Sequence, residues 1–173
     1  IDDEKERRAA RPEAERLRKR LIWSLVFTVP LLIMTMSSMA GARLPDFISP
    51  GTSPLNFALL QLLLTVPVVI TGRSFYIAGT KTLLRGNPGM DTLVAMGTAA
   101  AFLYGIFATI RIAGGDSHYV HSLYFESAAT IITLITMGRF LEARSKTRAG
   151  NAIRQLLSLA PPLATVIRDG KEK

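Results

Sequence analysis

Long apolar blocks alternate with charged ones along this chain. Residues 21–40, 47–72, 92–110 and 127–138 carry no charged side chain. Segments 21–40, 55–72, 92–110 and 119–138 each approach the ~20 residues that cross ~30 Å of hydrocarbon at a helical rise of about 1.5 Å. The pattern predicts an all-α membrane protein with four transmembrane helices, at 21–42, 55–86, 89–112 and 119–145. The first is too long, and follows too long a charged segment, for a signal peptide.

The second of these changes character near Gly72. Downstream, RSFYIAGTKTLLR (73–85) places aromatic and aliphatic residues on some helical faces and Arg73, Lys81 and Arg85 on others. Such a stretch lies in the membrane interface more comfortably than across it. Gly72 has the conformational freedom to allow a bend at the junction, so a kink at about 72 and an amphipathic platform are expected. Residues 1–20 interleave carboxylates with basic residues and read as a cytoplasmic helical lead-in with a solvated face. Segments 41–54 and 113–121 read as loops, and GNPG (86–89) as a turn. The third span is rich in small residues, Gly97 and Gly105 among them, which allow close helix contact. The fourth runs on into a polar amphipathic continuation, and LAPP breaks it. ATVIR followed by Asp169-Gly170 reads as a strand and a hairpin turn. Half a hairpin is not stable alone, so residues 146–173 are expected to begin a cytoplasmic β-containing domain that continues elsewhere.

Charge sets the expected orientation. The net charge is +8, but 19 of the 21 basic residues lie in 1–20, 73–85 and 139–173, on alternate sides of the spans. The positive-inside rule then places both termini and the 73–91 connection in the cytoplasm, as a multi-pass protein of the cell membrane. Membrane lipid, not nucleic acid, is the partner this distribution implies. There is no cysteine, which removes disulfides and thiolate metal ligands; Met thioethers still suit Cu(I). No phosphate-binding glycine loop or hydrolytic triad is present.

The residues that call for explanation lie in YFESAATIITLITMGRFLEARSK (124–146). Glu126 falls one to two turns inside the outer end of the fourth span. A charge at mid-membrane costs about 2.5–3.5 kcal/mol, and such residues usually mark an ion pathway; a structural hydrogen bond to a neighbouring helix is the plainer alternative. Glu142 follows sixteen residues later, ~24 Å down the axis, at the cytoplasmic end. Met90 opens the third span at that same end, so Met90 and Glu142 are expected to meet at an inner mouth, with Glu126 alone near the outer one. Glu142 also sits among Arg139, Arg144 and Lys146 and reads equally as a boundary charge; Met90 alone reads as an ordinary membrane residue. Met34, Met36 and Met39 read as packing more readily than as a metal relay. His118 and His121 read as outer-loop residues.

NPGMDTLVAMGTAAAFLYG (87–105), YFESAATIITLITMGRFLEARSK (124–146) and AIRQLLSLAPPLATVIRDGKE (152–172) closely resemble the heavy-metal P-type ATPases, specifically the copper-exporting branch. The resemblance covers about residues 55–173; the first span matches in character. It implies an ATP-driven translocase that ejects Cu(I), and often Ag(I), through an aspartyl phosphate. Met90 and Glu142 would then belong to a cytoplasmic site where a copper chaperone or soluble metal-binding domain hands over the ion. Glu126 would lie on the release path. The platform of Gly72, Arg73, Lys81 and Arg85 would dock the delivery protein, and residues 146–173 would begin the actuator domain. Of the family's paired glycines at the kink only Gly72 is present; Thr71 occupies the other position. ATP and Mg2+ would bind in domains outside these 173 residues, which hold no Cys-Pro-Cys and no Asp-Lys-Thr-Gly-Thr motif. The chain alone is therefore expected neither to hydrolyse ATP nor to complete a transport cycle. Two rivals stand beside this reading: a zinc- or cadmium-type relative, and a non-transporting membrane docking scaffold.

Overall fold

The structure is a computed structural model. It describes the backbone of residues 2–157 and of two short strands at 167–168 and 171–172, and the side chains of residues 13–146 and 148. Among the described residues five helices carry the fold: α1 (Asp2–Met39), α2 (Pro54–Thr71), α3 (Arg73–Leu84), α4 (Met90–Ala113) and α5 (Phe125–Leu157). Four of them include segments long and apolar enough to cross a membrane: Glu13–Met39, Pro54–Thr71, Met90–Ala113 and Ser117–Lys146. The lead-in and the first span are one helix, unbroken at Pro30. Short 3-10 turns, Asp46–Ile48 and Ser117–His121, sit at the opposite end from the α3–α4 connection. After α5, β1 (Ile167–Arg168) pairs antiparallel with β2 (Lys171–Glu172), in the register Ile167 to Glu172. The LAPP break and the remainder of the expected actuator start lie outside the described residues.

In the bundle α1 lies against α5 and α2, and α4 lies against α5 and α3. Its interior combines large and small side chains: Leu31, Phe125 and Ile132 are fully buried beside Ala58, Ala108 and Ala129. Water is absent from a bilayer core, so contact quality and interhelical hydrogen bonds hold such a bundle. Thr133 of α5 bonds both Ser24 (2.6 Å) and Thr28 (2.8 Å) of α1, all three buried. Tyr76 of α3 reaches Thr98 of α4 at 2.8 Å, and Thr92 donates to the Gly79 carbonyl at 3.0 Å. No span buries more than 44% of its most apolar window inside the chain. Leu93, Leu103 and Ile110 of α4, for example, face outward.

The α2–α3 interruption falls at Gly72, for a different reason from the one the sequence suggested. Its φ of −80° and ψ of 4° are open to any residue. What calls for glycine is Ile132 of α5: an added Cβ would stand 2.8 Å from its Cγ2. The third-span glycines also divide. A Cβ on Gly105 would meet the Leu123 carbonyl and the Phe125 ring at 2.6 Å, whereas Gly97 has nothing within 4 Å and makes no close helix contact.

Candidate functional site

At the end of the bundle where α4 begins, α1, the α2–α3 junction, α4 and α5 enclose an open cleft of about 570 Å³. Met90 and Glu142 both line it, with Thr71 and Ser74 on the junction side and Thr136 on α5. Met90 is the first residue of α4 and 60% exposed, so its thioether is free to turn into the cleft. Glu142 is exposed and bound to Lys146 one turn on, at 2.7 Å. Any cation taken by this carboxylate therefore competes with an ammonium group at hand.

Between these two residues lies a pair that reading the sequence missed. Arg139 of α5 donates to the Asp91 carboxylate of α4, and its guanidinium carbon stands 4.6 Å from the centre of the Phe75 ring of α3. One side chain thus ties three helices beside the cleft. Asp91 also stands in the first turn of α4. The pair's 48-residue separation gives no local signal. On the α1 wall, Arg16 and Glu13 line the cleft, and Arg20 donates to Ser74 at 3.1 Å.

A soft thioether and a hard carboxylate make a two-donor set that suits brief contact with Cu(I). Among the described residues no cluster of three or more His, Asp or Glu side chains could hold a metal. His118 and His121 are exposed in the loop helix. Met34 is packed in the core while Met36 and Met39 are exposed, so the three methionines do not converge.

Glu126 lies in the first turn of α5, at the far end of that helix from Glu142 and half-buried. Among the described residues its carboxylate has no hydrogen bond or ion pair. Its approach is unusual: Tyr124 adopts φ 55°, a left-handed conformation costing about 1–3 kcal/mol for a non-glycine residue. That turn seats Phe125 in the core, edge-on to Phe102 at 5.9 Å, and leaves Tyr124 against Tyr104 at 5.6 Å.

On α3 the two faces separate as the sequence suggested. Phe75 and Gly79 are buried, Gly79 against α4, where an added Cβ would stand 2.6 Å from the Asp91 carbonyl. Arg73, Lys81 and Arg85 are exposed, within about a third of the helix circumference at 3.6 residues per turn. Gly72 is buried beneath Ile132; it shapes this platform from below and offers no surface of its own.

Comparison with known proteins finds relatives of the chain. The chain is 40% identical over 154 residues, 88% of its length, to the Enterococcus hirae protein named "Probable copper-importing P-type ATPase A". It is 37% identical over 161 residues to a copper-exporting P-type ATPase of Staphylococcus epidermidis, and 40% identical over 154 residues to one of Staphylococcus aureus. The chain spans 18–20% of the length of these relatives. No family model and no solved structure matches. At this level of identity the chain is similar to a segment of the heavy-metal P-type ATPases. Within that kind, the relatives matched are the copper-transporting ones.

Proposed function

We propose that this chain forms the cytoplasmic inlet and part of the release path of an ATP-driven pump that exports Cu(I), with Ag(I) as a second cargo. In this reading both termini and the α3–α4 turn are cytoplasmic. Arg73, Lys81 and Arg85 attract the acidic face of a copper chaperone or soluble metal-binding domain. The ion passes to Met90 and Glu142, and Glu126 receives it on the way out. ATP and Mg2+ act in other domains of the full-length parent.

One observation carries the proposal: Met90 and Glu142, on different helices and fifty-two residues apart, line one cleft bordered by the platform junction. The donor chemistry supports it. Two weak donors, one already paired with Lys146, hold Cu(I) loosely, and a transfer point must also let its ion go. The relatives' names favour copper over zinc or cadmium but differ in direction, since one is called importing. Import is therefore the second reading.

The test is Cu(I) uptake into inverted membrane vesicles by the full-length parent, compared with Met90→Leu, Glu142→Gln and Glu126→Gln. Export predicts ATP-dependent uptake, strong loss in the first two variants, and slowed release after a single turnover in the third. Uptake confined to right-side-out vesicles would establish import instead. Zn(II) uptake without Cu(I) uptake would assign the zinc branch. Wild-type transport in all three variants, with binding of a delivery protein lost in Arg73→Glu, would leave only the docking scaffold.

A further inference from the structure

On the other side of α1 from the cleft, α1 and α5 form a second groove of about 690 Å³, open along one side. Its α1 wall is Arg18, Leu21, Ile22 and Leu25, at helical positions i, i+3, i+4 and i+7, which is one continuous stripe. Its α5 wall is Phe140, Arg144 and Arg148, again one stripe at four-residue steps. The two helices run in opposite directions through the membrane, so their gradients coincide. The arginines of both lie at the charged end of the spans, and Leu25 and Phe140 lie toward the hydrocarbon. Glu15 also lines the groove. None of the three arginines makes an ion pair or hydrogen bond among the described residues, and neither does Glu15. Among the described residues, three guanidinium groups against one carboxylate leave the charged half net positive.

We propose that this groove is a binding site for one anionic phospholipid. Its phosphate sits among Arg18, Arg144 and Arg148, and the first part of an acyl chain lies on Ile22, Leu25 and Phe140. Basic pockets between membrane helices select anionic headgroups in this way, and guanidinium groups match phosphate oxygens geometrically. The apolar half favours a lipid over free phosphate, because a free ion would leave it uncovered. The inference rests on the chain spanning a membrane and is independent of the copper reading.

The experiment is native mass spectrometry of the full-length parent in detergent, titrated with phosphatidylglycerol or with phosphatidylcholine of the same acyl chains. One phosphatidylglycerol should be retained in preference to phosphatidylcholine. Each of Arg18→Gln and Arg144→Gln should weaken retention about fivefold, as expected for one basic residue at a lipid surface. Arg85→Gln, just past the end of α3, should change nothing. Equal retention of the two lipids, unchanged retention in Arg18→Gln/Arg144→Gln/Arg148→Gln, or displacement by millimolar inorganic phosphate would overturn the proposal. So would a cross-link from Leu25→Cys to another helix of the parent. Should the triple variant fail to insert, Leu25→Trp fills the apolar half and leaves the arginines. Loss of phosphatidylglycerol there supports the site, and full retention refutes it.

Discussion

Gly72, Gly79 and Gly97 all lie in or beside helices, and a methyl group would meet something different at each. At Gly79 the obstacle is backbone, the Asp91 carbonyl at 2.6 Å; at Gly72 it is the Ile132 side chain at 2.8 Å; at Gly97 there is none within 4 Å. Overpacking costs about 1–3 kcal/mol where neighbours cannot yield. A side chain turns aside more readily than a helix moves. Alanine at Gly79 should therefore lower the unfolding temperature of the detergent-solubilised parent most, and alanine at Gly72 less. Ile132→Ala, which removes the obstructing Cγ2, should cost less in the Gly72→Ala background than in wild type. Gly97→Ala should match or exceed wild type, by up to about 1 kcal/mol from helix propensity. Equal losses at all three positions would show that these helix contacts are wrongly placed.

Between elements, Arg139 joins α5 to α4 through Asp91 and to α3 through Phe75. Both ends of the ion pair are partly shielded, with side chains 33% and 24% exposed, so it is worth more than a surface pair. Removing one partner leaves the other charge without its match, and that loss exceeds the pair's own worth. Asp91→Asn and Arg139→Gln should each destabilise the parent, and the double variant should lose less than their sum. A coupling of about 0.5–3 kcal/mol from thermal or denaturant unfolding is the expected outcome. Strict additivity would mean the two side chains do not interact. Met90 adjoins Asp91, and Glu142 lies three residues beyond Arg139. The same tie therefore holds both candidate donors in register, and Cu(I) transport should fall in the single variants in step with stability.

For the whole molecule, orientation decides which end faces the delivery protein. Within these 173 residues no cysteine competes with an introduced label. In the proposed orientation Asn87→Cys reacts with a membrane-impermeant maleimide only from the cytoplasmic side, and Ala42→Cys and Ser117→Cys only from outside. All three positions are exposed. The reverse pattern would overturn both the inlet at Met90 and the exit at Glu126. Hydropathy and charge distribution are properties of composition along the chain. They sufficed to locate four spans, the basic ends, the change of character at Gly72 and the opposite depths of Glu126 and Glu142. Which face each helix turns to its neighbours depends on side chains from distant segments meeting in three dimensions. Tertiary packing alone therefore brought Ile132 over Gly72, Arg139 to Asp91, Thr133 between Ser24 and Thr28, and the arginines of α1 and α5 around one groove.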